Sequence, residues 1–347
     1  MKIGKHNIGA GHPVYIVAEL SANHNHDFDR AAKLVQAAKD VGADAVKLQT
    51  YTAETMTIAS DQEYFRIGGG TLWDGRSLYA LYAEAFMPWE WQPKLKKIAE
   101  DIGLDLFSTP FDSSAVEFLE QMSVPAHKIA SCELVDIGLI QKVATTGKPL
   151  IMSTGMANEP EIDEAVKAAR AAGAKEIVLL KCTSAYPAPP EEANLRTIPE
   201  LARRFGCPAG LSDHTMEVAV PIAAVAVGAC VIEKHLCLSR GDGGPDSGFS
   251  LEPHEFKAMI HAVRTAEAAL GTAQFAPGAR ETKSLRYRRS LFVVQDVKKG
   301  ESFTLQNVRS IRPADGLHPR YLNEIVGKRA ARNIERGTPL SWTLIER

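Results

Sequence analysis

The sequence predicts a (β/α)8 barrel followed by a small β-rich domain. Eight short apolar runs recur along the first 235 residues. They are continuous rather than alternating, as in parallel strands that helices cover on both faces. Amphipathic stretches such as 30–41 and 161–172 lie between the runs and end near glycine. The alternative, a doubly wound open sheet, should show a Gly-rich turn after an early strand, and we find none.

The runs are VYIVAEL (14–20), DAVKLQT (44–50), DLFSTPF (105–111), HKIAS (127–131), PLIMSTG (149–155), EIVLLKCTS (176–184), PAGLSDH (208–214) and CVIEKH (230–235).

Composition excludes several classes of protein. The 347 residues include 40 Lys and Arg against 42 Asp and Glu, so a bulk polycationic surface for nucleic acid is absent. Five cysteines without a CxxC spacing argue against a disulfide framework and favour a reducing cytoplasm. The N-terminus lacks the features of a signal peptide. The longest apolar run, 218–232, is too short to cross a membrane and predicts a buried helix leading into a strand.

Two segments depart from the repeating pattern. More than fifty residues separate the second and third runs, and segment 63–91 of this insert is rich in Trp and Tyr. It is open to three interpretations: a substrate lid, an oligomer contact, or a helix packed on the barrel. After Leu270 the pattern ends. We expect a barrel domain over 1–272, a linker over 273–289 and a compact, turn-rich domain over 290–347, in which DVKKGESFT and NIERGTPLS echo each other.

Polar side chains gather where the predicted strands end, which is the catalytic face of such a barrel. A single Ser or Thr there is typical of a helix N-cap, but caps do not explain Lys47, Glu133 and His235. The residues at these positions are Glu19, Lys47, Gln49, Thr109, Ser131, Glu133, Ser153, Thr183, Ser212, His214 and His235.

Three groups of these residues have recognisable chemistry. His214 and His235 follow neighbouring strands and could hold Mn, Fe, Co or Zn at an open site. Lys47 and Lys128, both inside apolar runs, could bind an anion together with neighbouring hydroxyls. The hydroxyl residues are Thr109, Ser131, Ser153 and Ser212.

Glu19, Glu133 and Asp246 could orient a hydroxylated substrate or move protons, with the NHNH sequence at 23–26 beside Glu19. The residues alone therefore predict a metal-dependent barrel enzyme that acts on a phosphorylated or carboxylated small molecule.

Ordered motifs along nearly the whole chain resemble the sialic acid synthase family. The motifs are AELSANHNHDFDRA, VKLQT, STPFD, HKIASCE, STGMA, KCTSAYP, GLSDHT, EKHLC and GPDSGFSLEP. The C-terminal segment with SIRPADGL resembles the antifreeze-like (SAF) domain of that family. The insert TLWDGRSLYALYAEAFMPWEW resembles synthases of pseudaminic acid more closely than synthases of N-acetylneuraminic acid.

The resemblance implies a transferase that condenses phosphoenolpyruvate with the open-chain aldehyde of 2,4-diacetamido-2,4,6-trideoxy-altropyranose, giving pseudaminic acid and phosphate. The alternative is an N-acetylneuraminate or legionaminic acid synthase. The implied metal is Mn²⁺, with Mg²⁺ or Co²⁺ as alternatives, held by His214 and His235. The implied partner is a second copy in a domain-swapped homodimer, whose barrel receives Arg312.

By the same resemblance, the remaining candidates divide into three sets. The catalytic residues would be Glu19, Glu133 and His235. Phosphoenolpyruvate would bind to Lys47, Thr109, Lys128, Ser131, Ser153 and Ser212. The sugar would bind to Gln49, Tyr186, Asp246 and Arg312. The sequence departs from the neuraminic acid synthases at Ser184, commonly Asn, and at Cys132, commonly Gly.

Two rival hypotheses remain open at this point. One is a metal-dependent aldolase or another phosphoenolpyruvate-condensing barrel, such as a ketodeoxy sugar-acid synthase. The other is a binding or structural module whose C-terminal domain acts on ice or surfaces. The concentration of polar groups at the ends of the strands argues against the second.

Overall fold

Eight parallel strands close into a barrel in the computed structural model, which describes residues 1–346. The strands are β1 (Tyr15–Glu19), β2 (Ala45–Thr50), β3 (Asp105–Pro110), β4 (His127–Ile129), β5 (Leu150–Ser153), β6 (Ile177–Cys182), β7 (Ala209–Asp213) and β8 (Val231–His235). Each strand pairs with the next along the chain, and β8 pairs with β1. The predicted barrel is confirmed, and each of the eight predicted runs contains one of its strands.

Helices follow the strands along the chain. They are α1 (Phe28–Val41), α2 (Ala53–Met56), α3 (Leu78–Ala85), α4 (Gln92–Asp101), α5 (Ser113–Gln121), α6 (Ile137–Ala144), α7 (Glu159–Ala171), α8 (Thr197–Phe205), α9 (Ala219–Ala226) and α10 (Pro253–Leu270). The apolar run at 218–232 forms α9 and the start of β8, as the sequence predicts.

The sequence of α1 shows why these segments are helical. Asp27 caps its N-terminus by accepting a hydrogen bond from the Arg30 amide. Buried residues recur at three- and four-residue spacing, so one face packs inward. The helix ends at Gly42, whose φ of 94° suits a residue without a Cβ atom.

The two ends of the barrel have different roles. At the N-terminal end of the strands, Asp105 accepts hydrogen bonds from Tyr15 Oη at 3.0 Å and pairs with His6 Nδ1 at 2.9 Å. His6 belongs to a short hairpin formed by Lys2–Ile3 and His6–Asn7. These contacts tie the N-terminal hairpin to the barrel, and the polar side chains that the sequence singles out lie at the opposite end.

The aromatic insert has two structural parts. Residues 66–77 form a loop whose two ends, Arg66 and Ser77, are joined by an antiparallel β-bridge. The chain reverses direction at a turn from Thr71 to Asp74, where the Asp74 side chain accepts hydrogen bonds from Thr71. The part that follows includes α3, and its Trp91 packs edge-on against Phe28 of α1. The second part therefore packs on the barrel, as one of the three interpretations expects.

The chain divides into two compact units, Met1–Gly271 and Thr272–Arg347. The second contains α11 (Ala279–Thr282), a 3₁₀ turn at Lys283–Tyr287, an antiparallel pair β9 (Ser290–Val293) and β10 (Val308–Ile311), and α12 (Leu322–Ile325). The segment expected to be a linker, 273–289, thus includes two short helical segments.

The internal echo in the small unit corresponds to its core. Val297 and Ile334, equivalent positions of the two similar segments, pair with each other across an antiparallel bridge. Phe303 and Leu340, another equivalent pair, are both buried in the same core. The glycines of the two turns, at 300 and 337, have positive φ angles of 75° and 90°.

No helix within residues 1–346 combines the length and the apolar character that a membrane span requires.

Candidate active site

A cluster of four buried charges lies at the C-terminal end of the barrel strands. Lys47 Nζ is 2.8 Å from Glu19 Oε2 and 3.2 Å from Glu233 Oε1. Lys128 Nζ is 3.3 Å from the same Glu233 oxygen. All four side chains are at most 6% exposed. Buried ions are stable only when they are paired, so these four residues depend on one another.

The strand register brings these residues together. Glu19 on β1 pairs with Lys47 on β2, and Glu233 on β8 pairs with Ser212 on β7. The Ser212 hydroxyl donates to Glu233 Oε1 at 3.2 Å. Glu233 is therefore the hub that contacts both predicted lysines and one predicted hydroxyl.

The two carboxyl groups of the cluster have different electrostatic environments. Burial opposes the ionisation of Glu233, but Lys128 and Lys47 hold its pKa at about 2. Burial raises the pKa of Glu19, despite the attraction of Lys47. Burial lowers the pKa of Lys128. Burial also acts to lower the pKa of Lys47, but the attraction of the Glu19 and Glu233 carboxylates is larger and raises it. The cluster thus stabilises the carboxylate of Glu233 far more than that of Glu19.

The predicted hydroxyl residues are present at this end of the barrel. Thr109 Oγ1 accepts a hydrogen bond from Lys47 at 3.3 Å. Ser131 Oγ accepts from the Gly155 amide at 3.2 Å. Ser153 Oγ is buried without a hydrogen-bond partner, as is Glu233 Oε2. Since buried polar atoms are seldom left unpaired, these two atoms indicate a site that a polar ligand completes.

The two predicted metal-binding histidines are neighbours. The His214 and His235 rings lie with centroids 5.4 Å apart. His214 Nδ1 is 2.8 Å from the Thr183 carbonyl oxygen, and His235 Nδ1 is 3.1 Å from Ser21 Oγ. Because a carbonyl can only accept, His214 carries its proton on Nδ1 and leaves Nε2 with a lone pair.

This arrangement fits a divalent metal bound through imidazole nitrogen, with the second nitrogen of each ring held by a protein group. Burial lowers the pKa of His235, which favours the neutral form that ligates metals. Burial opposes protonation of His214 too, but the Cys182 thiol and the Thr183 carbonyl raise its pKa. Within residues 1–346, no group of three or more His, Cys, Asp or Glu side chains has the geometry of a metal site.

The remaining predicted barrel residues lie around this centre. Gln49 donates to Glu19 Oε1 at 3.0 Å. Asp246 Oδ2 accepts from the Ala22 amide at 3.1 Å, and burial raises its pKa. Burial raises the pKa of Glu133 to about 7, and its Oε2 is buried without a hydrogen-bond partner. Glu133 can therefore exchange a proton near neutral pH.

Aromatic rings extend from the imidazole pair to the insert. The Tyr186 ring lies 4.3 Å from the His214 ring, and Phe249 lies 4.9 Å from His235. Trp73 contacts both Tyr186 and Phe249, at centroid distances of 5.8 and 6.1 Å. The first part of the insert thus reaches the residues beside the two histidines.

Arg312 belongs to the small unit. It lines an open pocket of about 550 Å³ with Ser284, Tyr287, Arg288 and Arg289.

Sequence reasoning missed three residues that this geometry includes: Glu233, Ser21 and Phe249. Glu233 had a detectable signal, because it precedes His235 by two residues in a strand and so shares its face. Lys234 has the opposite orientation and pairs with Asp213 Oδ2 at 2.5 Å. The roles of Ser21 and Phe249 depend on loops, for which strand alternation gives no guidance.

The NeuB family model matches residues 34–275, and the SAF domain model matches residues 288–346. The chain belongs to the NeuB family. It is 45% identical to the pseudaminic acid synthase of Helicobacter pylori, over 96% of this chain and 98% of that protein. It is 35% identical to the N,N'-diacetyllegionaminic acid synthase of Legionella pneumophila, over 97% and 96%.

Among solved structures, the N-acetylneuraminic acid synthetase of Leptospira borgpetersenii superposes with a TM-score of 0.73 at 30% identity, covering 83% of this chain and 95% of that chain. The predicted family and the SAF domain are confirmed.

The buried hub predicts a specific stability loss. Glu233→Gln keeps the shape of the side chain and an oxygen that accepts from Ser212. It removes the negative charge that pairs with Lys47 and Lys128. We expect the free energy of unfolding at pH 7 to fall by about 3–5 kcal/mol, measured by urea titration. The pKa of Glu233 is depressed from 4.5 to about 2, so its ionic contribution is complete above pH 4.5 and is lost as pH falls towards 2. The difference between wild type and variant should shrink over that range.

The matched control is Glu200→Gln, which alters an exposed pair with Arg203. It should leave the urea midpoint unchanged. Equal effects of the two substitutions would show that Glu233 is not a hub.

Glu133 predicts opposite effects on activity and stability. Its pKa is raised from 4.5 to about 7, so the folded state loses stability as pH rises through that interval. Glu133→Gln should therefore raise the free energy of unfolding at pH 8 while removing most activity and any inflection of kcat/KM near pH 7. The exposed Glu191→Gln serves as control, and an unchanged pH profile in Glu133→Gln would contradict the assignment.

Proposed function

We propose that this chain condenses phosphoenolpyruvate with the aldehyde of 2,4-diacetamido-2,4,6-trideoxy-altrose and releases pseudaminic acid and phosphate. The observation that carries the proposal is the buried cluster of Lys47, Lys128 and Glu233 beside the imidazoles of His214 and His235. It combines an anion site with an open metal site at the catalytic end of a barrel. The relative from Helicobacter pylori, similar over nearly the whole chain, is named a pseudaminic acid synthase.

In this proposal the lysines and hydroxyls bind phosphoenolpyruvate. Lys47 and Lys128 supply positive charge within a space that excludes water, where charge-assisted hydrogen bonds are strong. Ser153 Oγ, which has no partner in the protein, would donate to an oxygen of the substrate. The full set is Lys47, Thr109, Lys128, Ser131, Ser153 and Ser212.

The remaining barrel residues would bind the sugar and move protons. C3 of phosphoenolpyruvate forms a bond to C1 of the sugar aldehyde, whose oxygen takes up a proton. Water then adds at C2 and loses a proton, and the resulting C2 hydroxyl loses its proton to give the ketone as phosphate leaves with cleavage of the C2–O bond. Glu133 has the pKa near 7 that suits proton transfer, and Glu19 lies beside Gln49 at hydrogen-bond distance. Asp246 and Tyr186 would contact the sugar.

A divalent metal held by His214 and His235 would polarise the sugar aldehyde. The protein's own contribution is to fix both rings, through Thr183 and Ser21. His235 counts with Glu19 and Glu133 among the catalytic residues in this proposal, and Mn²⁺ is the metal we propose.

We further propose that the small domain completes the site of a second copy in a homodimer. The opposite charges of the two units support this arrangement. Residues 1–271 contain 25 Lys and Arg against 35 Asp and Glu, whereas residues 272–347 contain 15 against 7. Opposite charges favour association between such units, and Arg312 offers a planar donor group to an acetamido carbonyl.

Mass spectrometry of reaction products tests the function. The enzyme is incubated with phosphoenolpyruvate carrying ¹⁸O in its bridging position and with one sugar at a time. We expect pseudaminic acid from the diacetamido altrose derivative, with the label in the released phosphate because the C–O bond breaks. Faster turnover of N-acetylmannosamine, or of the diacetamido sugar that yields legionaminic acid, would assign the alternative function. Condensation with sugars that lack an acetamido group would favour a ketodeoxy sugar-acid synthase.

Removal of metal should abolish turnover. Enzyme dialysed against a chelator should lose activity and regain it on addition of Mn²⁺. His235→Ala should bind less Mn²⁺ in a direct binding measurement and should not be rescued. His254→Ala, a change at an exposed histidine of α10, is the control and should behave as wild type. Full turnover in chelated, metal-free enzyme would exclude the proposed metal.

Subunit mixing tests the role of Arg312. Arg312→Ala and His235→Ala chains should each be nearly inactive. If Arg312 acts in a partner's barrel, the mixed dimer regains one complete site from the intact barrel of the first chain and the intact arginine of the second. Mixed dimers without recovered activity would place Arg312 in its own chain's site or outside the reaction. Arg332→Ala, a change at an exposed arginine of the same unit, is the control and should keep wild-type activity.

A further inference from the structure

The insert places the indole ring of Trp73 beside the residues that contact His214 and His235. In the loop at 66–77 the Ile67 amide donates to the Arg76 carbonyl oxygen and the Ile67 carbonyl oxygen accepts from the Gly75 amide, and the tip of the loop carries Trp73. Trp73 Nε1 donates to the Pro245 carbonyl oxygen at 3.0 Å, next to Asp246. The ring then lies against Tyr186 and Phe249, which themselves contact the two imidazoles. We call Trp73, Tyr186 and Phe249 the aromatic wall.

The aromatic wall is poor in hydrogen-bonding groups. The indole N–H of Trp73 is already used, and Phe249 has no polar atom. The Tyr186 hydroxyl is the one remaining polar atom of the three side chains. A phenol can donate to an acetamido carbonyl. The rest of the wall can accommodate only apolar groups without loss of hydrogen bonds.

From this geometry we infer that Trp73 is a specificity-determining residue, which selects a sugar whose terminal carbon is a methyl group. The inference rests on the proposed function and deepens it. A methyl group gains contact with the indole face, whereas a hydroxyl group in the same place loses its water and finds no partner. In this proposal the other hydroxyls of the sugar have Asp246 and Gln49 as partners. The aromatic wall therefore discriminates only between a methyl group and a hydroxyl-bearing group at the terminal carbon.

The test compares two sugars that differ by one oxygen: 2,4-diacetamido-2,4,6-trideoxy-altrose and the same compound with a hydroxyl at C6. Wild type should prefer the deoxy sugar by about 5- to 100-fold in kcat/KM, the range for one unpaired buried hydroxyl. Trp73→Ala opens the wall to water, so the preference should fall towards unity while KM for phosphoenolpyruvate stays constant. Trp73→Phe keeps an apolar ring and should retain most of the preference.

Tyr64→Ala is the control, because Tyr64 lies on the same insert and is 88% exposed. It should leave the preference unchanged. Calorimetric binding of both sugars to wild type and Trp73→Ala, without phosphoenolpyruvate, separates the two hypotheses. If no sugar is turned over but Trp73→Ala abolishes the binding preference, the proposed function fails and the role of Trp73 stands. If the preference is equal in wild type and Trp73→Ala, by kinetics or by binding, the inference is overturned.

Discussion

The ion cluster of Glu19, Lys47, Lys128 and Glu233 constrains the whole catalytic end of the barrel. Each of these charges is costly to bury, and each is stabilised only because strands distant in sequence bring its partner to the same level. Lys47 Nζ and Lys128 Nζ both approach one oxygen of Glu233. A shift of β8 by a single residue would turn Glu233 out of the barrel and leave both lysines without it. The ion cluster therefore forms only in the observed strand register, and pairing of its charges stabilises that register.

The cluster also explains why the same residue type has different properties within one site. Glu233 contacts two ammonium groups and stays ionised to about pH 2, whereas Glu133 has a pKa of about 7 because burial dominates its environment. A fixed carboxylate suits a structural hub, and a carboxyl that titrates near neutrality suits proton transfer. Position in the barrel, rather than residue type, separates these two functions.

The site combines three kinds of surface that make different demands on a ligand. The lysines and hydroxyls offer hydrogen-bond donors to an anion, the paired imidazoles offer nitrogen lone pairs, and the aromatic wall accepts apolar groups. The proposed pair of phosphoenolpyruvate and a diacetamido trideoxy sugar would meet all three demands. The insert matters here because it brings Trp73 beside Tyr186 and Phe249, which lie in the loops after β6 and β8.

Local patterns in the sequence determined the secondary structure and much of the site. Continuous apolar runs are enough to predict eight buried parallel strands, because only residues covered on both faces lack alternation. Lys47 and Lys128 could be predicted because each is a lysine inside an apolar run, and His214 and His235 because they lie at the ends of neighbouring strands. Distances along the chain do not specify which side chain meets which. That Glu233 joins two lysines, that Ser21 holds His235 and that Trp73 contacts Phe249 depend on barrel closure and loop conformation, and only the tertiary structure decided them.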